Sequence, residues 1–255
     1  MKIKYHILNG DCLKEEFPAT LEGRKIIARL CLVDGDVKAD SLSELFKIRA
    51  KFISDNYGKH TEECYFEKTV PEIEKIQNIP DHLEINLWFE DDLFCQVNFW
   101  FVVNLLYYHT KSCNIYLIRP KEKSKYSFSS MVENELVEVY TKRKKIEPFD
   151  FNELRKLWGF YQHDNIIEML RIARKLDKKY PFLIPAIQAH EGRMAKDGNL
   201  GRPKNSLIQI ISDLKTNNFG QIFRAFSKRE EIYGFSDLQV KRLYDELINS
   251  NIKIK

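Results

Sequence analysis

Residues Leu83 to Gln96 read LEINLWFEDDLFCQ, and the change of pattern inside this stretch decides the fold. Leu83 to Phe89 is an apolar, branched and aromatic run of strand length. It stops at Glu90-Asp91-Asp92. From Leu93 the positions Leu93, Val97, Trp100, Phe101 and Asn104 keep helical spacing to about Tyr108. A strand giving way to a helix through an acidic turn is half of a strand–helix–strand unit.

The same grammar recurs on either side. Cys113 to Ile118 (CNIYLI) supplies the next strand. Tyr5 to Leu8 is a short apolar run ending at Asn9-Gly10-Asp11. Lys25 to Val33 (KIIARLCLV) is a near-continuous apolar run ending at Asp34-Gly35-Asp36, as a strand covered on both faces would read. Ser41-Leu-Ser-Glu44 is a capping-box pattern that opens a helix with Leu42, Leu45, Phe46, Phe52 and Ile53 on one stripe until Gly58. A further helix covers Pro71 to Gln77. The order predicts an α/β protein: a small open parallel Rossmann-like sheet with right-handed crossovers in residues 1–120.

Residues 121–148 are polar and charge-dense, contain KEKSKYSFSS, and read as a connection between domains. Residues 149–255 read as a mainly α-helical C-terminal domain. Asp150 is expected to cap a helix through Leu154, Leu157 and Trp158, and Asp164 another through Ile167, Leu170 and Ala173. Leu207 to Leu214, Gly220 to Lys228 and Ser236 to Ile248 give three more.

A length of 255 residues suffices for two modest cores, and 44% hydrophobic with 13% aromatic residues excludes a disordered chain. Lys and Arg number 41 against 37 Asp and Glu, a net charge of +4 that is too thin to point to nucleic acid. The run Lys142 to Lys145 reads as solvated surface. The opening MKIKYHILNGD lacks the apolar core of a signal peptide, and the richest run, Val97 to Tyr108, is too short for a membrane span and is broken by Asn98 and Asn104. Five scattered cysteines without a C-x-x-C pair read as reduced thiols. These features predict a cytoplasmic protein with no membrane partner.

In an open parallel sheet, ligands bind beyond the carboxyl ends of the strands. The predicted fold gathers Asp11, Asp34, Asp36, Glu90 and Asp92 there. Such carboxylates can hold Mg²⁺ or Mn²⁺, with Asp11 and Asp92 as ligands and the metal engaging phosphate. Alternatively, a crowded carboxylate among Asp11, Glu90 and Asp92 can act as general acid or base. Arg49 falls on the core-facing stripe of its helix and needs a counter-charge, which these acids or a bound anion would supply. Gln96 is either a buried hydrogen-bonding residue or a ligand contact. Taken singly, Asp11, Asp34 and Asp92 are also ordinary turn residues or helix caps. No G-x-G-x-x-G or Walker loop is present, which disfavours a dinucleotide or Walker-type site. G-x-S-x-G and H-E-x-x-H are absent too, and His6, inside the first strand, reads as packed.

Asn9-Gly10-Asp11, Arg49 and Trp88-Phe-Glu90-Asp-Asp92-Leu-Phe-Cys-Gln96, a W-x-E-x-D-x-x-x-Q pattern, together resemble the bacterial family catalogued as domain of unknown function 1835, over residues 1–120. Ala189-His190, Gly201-Arg202-Pro203 and Tyr233 to Gln239 resemble the C-terminal segment that accompanies this domain in some members. Ser236 stands where many members have glycine. The resemblance implies a fold and candidate positions, Asn9, Gly10, Gln96, His190, Arg202 and Asp237 among them. It implies no activity, because the family's reaction is not established.

Three functions follow as expectations. The first is a metal-assisted hydrolase or transferase acting on a phosphate-bearing small molecule or nucleotide, with Asp34, Asp36 and Arg49 around the substrate and His190, Arg202 or Asp237 closing over it. The second is a ligand-sensing DNA-binding regulator whose last three helices form a helix-turn-helix with Ile252 to Lys255 as a vestigial wing. Asp237, Asp245 and Glu246 beside Lys241 and Arg242 make a poor surface for phosphate, so nucleic acid is the weaker partner and the preferred reading of these helices is a small helical cap packed on the sheet domain. The third, a non-catalytic interaction module, is favoured if the acids are caps satisfied by backbone N–H groups.

Overall fold

A computed structural model of the chain describes residues 3–58, 60–110 and 112–250. Its five strands are β1 (Lys4–Leu8), β2 (Arg24–Ile27), β3 (Glu84–Trp88), β4 (Asn114–Ile118) and β5 (Lys144–Lys145), in the spatial order β2-β1-β3-β4-β5. The first four are parallel, and β5 pairs antiparallel with β4. Helix α1 (Asp11–Glu16) joins β1 to β2. Helices α2 (Leu42–Asn56), α3 (Glu62–Lys68) and α4 (Val70–Gln77) lead to β3, and α5 (Leu93–His109) leads to β4. The chain is α/β, with a mostly parallel sheet and a helical C-terminal part.

Strand alternation builds two cores. Ile7 registers with Ile26 and Leu87, and Leu87 with Leu117, so one apolar row crosses the sheet on the face covered by the main core. Leu8 registers with Ile27 and Trp88, and Trp88 with Ile118, on the opposite face. A one-residue slip would exchange the rows, and each buried aliphatic side chain contributes roughly 1.5–3 kcal/mol, so the register is strongly specified. Under the second face lie Leu13 and Phe17, with Phe128, Leu136 and Tyr140. His6 packs there as expected, accepting from Trp88 Nε1 at 3.1 Å.

Helix α5 is apolar around its whole circumference, and the fold explains why. One side packs towards the sheet and α4, the other is covered by α7 (Pro148–Leu154), α8 (Lys156–Gln162) and α10 (Leu183–Arg193), with α9 (Ile166–Leu176) behind them. The main core therefore runs without a break from Tyr5 to Tyr233. The segment 121–148, expected as a connection, carries α6 (Glu133–Thr141) on the second face and β5 at the edge of the sheet. A separate small core, built from Leu207, Ile222, Phe226 and Val240, is enclosed by α11 (Arg202–Leu214), α12 (Phe219–Arg229) and α13 (Asp237–Asn249).

Three local expectations are corrected. Asp150 is not a cap but lies inside α7, buried and bonded to Lys179 Nζ at 2.9 Å and Tyr180 Oη at 3.2 Å. Helix α9 is capped by Asn165, and Asp164, just before it, takes the left-handed backbone with φ 53°. Strand β2 ends at Ile27, well short of Val33. The expected wing, Ile252 to Lys255, falls outside the described residues. None of the described helices is long and apolar enough to cross a membrane.

Candidate functional site

Beyond β2, residues 28–37 leave the sheet yet stay largely buried, which requires other donors for their carbonyls. Four helices supply them. Asn98 Nδ2 donates to Leu30 O (2.9 Å), Arg49 Nη2 to Cys31 O (2.5 Å), Tyr161 Oη to Leu32 O (3.0 Å), and Arg193 Nη1 to Val33 O. Arg49 Nη1 also binds Asp36 O (2.9 Å), and Gln162 Nε2 binds Val37 O (2.7 Å). Fully buried Arg49 thus meets carbonyl oxygens and the face of Phe52. Its guanidinium holds this segment through the carbonyls of Cys31 and Asp36.

The strand-end acids sort into three environments. Asp92 caps α5, its Oδ1 accepting from Cys95 N at 2.9 Å, as one reading of the sequence expected. Burial pushes its carboxyl up to about 6. Gly234, in the left-handed conformation, lies so close that a Cβ there would overlap the Asp92 carboxylate, so the C-terminal segment seals this acid. Glu90 accepts from Cys95 Sγ (3.1 Å) and Phe128 N (3.3 Å), and burial reinforced by the charge of Asp92 pushes it up to about 7. Cys95 in turn accepts from Asn9 Nδ2 at 2.7 Å, while Asn98 Nδ2 donates to Asn9 Oδ1 at 2.9 Å. Gln96 is fully buried and donates to Glu90 O at 2.7 Å, which makes it a hydrogen-bonding residue of this network.

Asp11 is elsewhere, at the exposed start of α1. Arg29 grips both of its carboxylate oxygens with one edge of the guanidinium, Nε to Oδ2 at 2.6 Å and Nη2 to Oδ1 at 2.7 Å, holding its carboxyl below the usual carboxylate range, while Nη1 donates to Lys68 O at 3.3 Å. The pair lies at the mouth of a crevice of about 450 Å³ beyond the carboxyl ends of β1 and β2. Asn9 and Gly10 line it from β1, and Leu30, Ile53, Tyr65 and Phe94 give it apolar walls. Lys68 and His60 approach from α3 and the loop before it, and Leu238 and Gln239 from α13. The permanent charges are Arg29 and Lys68 against Asp11, an excess of one positive charge. Sequence reasoning missed Arg29 and Lys68. The signal was a lone arginine inside the apolar run KIIARLCLV.

Asp34 and Asp36 do not reach that crevice. Asp34 is buried, accepts from Tyr57 Oη at 2.5 Å, and is gripped by Arg242 through both carboxylate oxygens, with Nε to Oδ2 at 2.9 Å. Gln239 Nε2 donates to the same Tyr57 hydroxyl at 3.2 Å. These contacts dock α13 onto the α/β unit, so the helix expected to read DNA has Gln239 and Arg242 engaged within the protein. Asp36 Oδ1 accepts from Lys38 N at 2.9 Å. Asp34 and Asp36 line a second cavity of about 460 Å³ together with His190. Arg202 pairs with Glu230 at 2.8 Å in a separate open recess, and Asp237 Oδ1 accepts from Leu238 N at 3.0 Å, lining neither cavity.

The donor geometry does not suit the expected Mg²⁺ or Mn²⁺. Among the described residues no three His, Cys, Asp or Glu side chains gather so as to hold a metal ion. Asp11 is engaged by Arg29, whereas Asp92 is sealed beneath Gly234. No family model, curated protein or solved structure matches the chain. The resemblance to domain of unknown function 1835 therefore stands on its motif residues alone.

Proposed function

We propose that this chain binds a phosphate-bearing small molecule, of the nucleotide or sugar-phosphate class, in the crevice beyond β1 and β2, without a divalent cation as intermediary. The observation that supports it most is the lining. Arg29, fixed in orientation by Asp11, and Lys68 offer cationic donors, and Phe94, Tyr65 and Ile53 offer an apolar wall for a base or ring. A volume of about 450 Å³ suits a small ligand. The position also agrees with the rule that open parallel sheets bind at their carboxyl edge.

A second reading, hydrolase or transferase, is favoured by Glu90. Held at about 7, its carboxyl can both give and take a proton near neutral pH, as general acid–base catalysis requires. It communicates with the crevice through Cys95 and Asn9. Asp92 and Asp36, already satisfied by backbone N–H groups, support binding more than catalysis.

The test is a thermal-shift panel of nucleoside phosphates and sugar phosphates, run in EDTA. A ligand that prefers the folded state raises the melting temperature, and a concentration a hundredfold above Kd stabilises by about 2.7 kcal/mol. At least one member is expected to give a saturable rise. A panel without any rise would overturn the proposal.

A further inference from the structure

The second cavity, about 460 Å³, lies where the 34–38 segment, the ends of α8 and α10, and the three-helix cap meet. His190 in its wall is 1% exposed. Arg193 Nε donates to His190 Nδ1 at 3.1 Å, and the rest of that guanidinium is spent on Val33 O and the Tyr161 hydroxyl. An arginine N–H can only donate, so Nδ1 is the bare nitrogen and Nε2 carries the proton. That Nε2–H has no hydrogen-bond partner among the described residues, although Asp164 Oδ1 stands 3.3 Å away. A buried donor without a partner is costly, and a native structure retains one where something else satisfies it.

Asp164 sits at φ 53°, a left-handed conformation uncommon outside glycine that Asp and Asn tolerate best. Its side chain remains about half exposed. His190 and Asp164 both line this cavity, and the buried Nε2–H stands 3.3 Å from the Asp164 carboxylate without a hydrogen bond.

The charges lining the cavity balance. The acids are Asp34, Asp36, Asp164 and Glu246, and the bases are Lys38, Arg193, Lys204 and Arg242. Arg242 is consumed by Asp34 and Glu246, and Lys204 by Glu246. This neutrality contrasts with the positive excess of the first crevice and argues against a phosphate. A hydroxyl both donates and accepts, which is what the His190 N–H and the Asp164 carboxylate jointly require. Tyr161 and Phe235 add aromatic surface for the apolar face of a ring.

We propose that this cavity is a separate binding site for a neutral polyhydroxylated ring, a free sugar or the ribose of a nucleoside, with one ligand hydroxyl bridging His190 Nε2 and Asp164. The experiment is a long-range ¹H–¹⁵N NMR titration of the His190 imidazole with D-glucose, D-ribose, adenosine, uridine and inorganic phosphate, each added separately. At least one sugar or nucleoside is expected to move the Nε2 resonance saturably, while phosphate leaves it in place. Free sugars acting as well as nucleosides would assign the ring alone; nucleosides acting alone would assign the ribose within a larger ligand.

Asp164→Asn keeps the left-handed backbone and removes the charge, and is expected to weaken binding about tenfold with the melting temperature unchanged. Should that variant lose stability, Asp164→Gly, which also accepts the left-handed backbone, removes the carboxylate and gives the same readout. Arg29→Gln, in the other crevice, is expected to leave this titration untouched. No response to any sugar or nucleoside, which would mean a structural water only, overturns the proposal. A response to inorganic phosphate, or full affinity in Asp164→Asn, does so equally.

Discussion

Glu90 shows how a single residue acquires a function-ready property from its surroundings. In an unfolded chain its carboxyl ionises near 4.5, and in the fold near 7, because burial and the charge of Asp92 both oppose the anion. Between those values the folded protein binds the extra proton, so this group's contribution to stability falls as pH rises from about 4.5 to about 7. Glu90→Gln cannot titrate. Urea unfolding at about pH 5 and pH 8 should show the variant gaining on the wild type by on the order of 1–3 kcal/mol at the higher pH. A difference independent of pH would contradict it. His6 and His190, held by burial at about 4 and about 3, act in the opposite sense below pH 6.5, but they are common to both proteins and cancel in the comparison. The sequence made Glu90 and Asp92 suspicious through their place after a strand. It could not show that Asp11, equally placed, would be claimed by Arg29, since that pairing depends on where the chain turns after Ile27.

The element that the sequence misjudged is the run after β2. KIIARLCLV satisfies every local criterion for a buried strand, yet only its first part enters the sheet. Ladder partners are replaced by side-chain donors from α2, α5, α8 and α10, one of them located 160 residues away, and nothing local in the sequence announces them. Arg49 is the test of this arrangement. Arg49→Met leaves the part-buried carbonyls of Cys31 and Asp36 without donors and removes a fully buried side chain, and should cost roughly 2–5 kcal/mol in urea or thermal unfolding. Arg49→Lys should recover only part of that loss, because one ammonium cannot span both carbonyls as the planar fork does. A loss under about 1 kcal/mol for Arg49→Met would show that the segment is held by apolar packing alone. Helix α5 was legible for the opposite reason. Its Asp92 cap and its apolar circumference are written in consecutive residues.

Across the whole molecule, the three-helix unit of α11, α12 and α13 has its own core and is tied to the sheet unit by Tyr233 and Phe235, which pack on the main core, and by the polar contacts of Arg242 on Asp34 and Gln239 on Tyr57. Arg242→Met removes the partner of a buried carboxylate and should cost roughly 1–3 kcal/mol, Arg242 being partly exposed. Hydrogen exchange should then quicken in α11 to α13 while β1, β3 and α5 keep their protection, since weakly coupled units open separately. Uniform exchange throughout would mean that the cap folds as one body with the sheet. The alternation of strands and helices that defines the α/β class was readable from pattern. Reading the cap's docking, and so the two cavities it helps to enclose, required three-dimensional pairing between residues some 200 positions apart. The most direct test of the central claim is calorimetric titration, in EDTA, of the nucleoside or sugar phosphate that best stabilises the wild type, against the wild type and Arg29→Gln. Binding by the wild type with a loss of about tenfold or more in the variant is the expected result, as befits a charge-assisted contact. Equal affinity in both proteins, or binding that appears only when Mg²⁺ is restored, would contradict it.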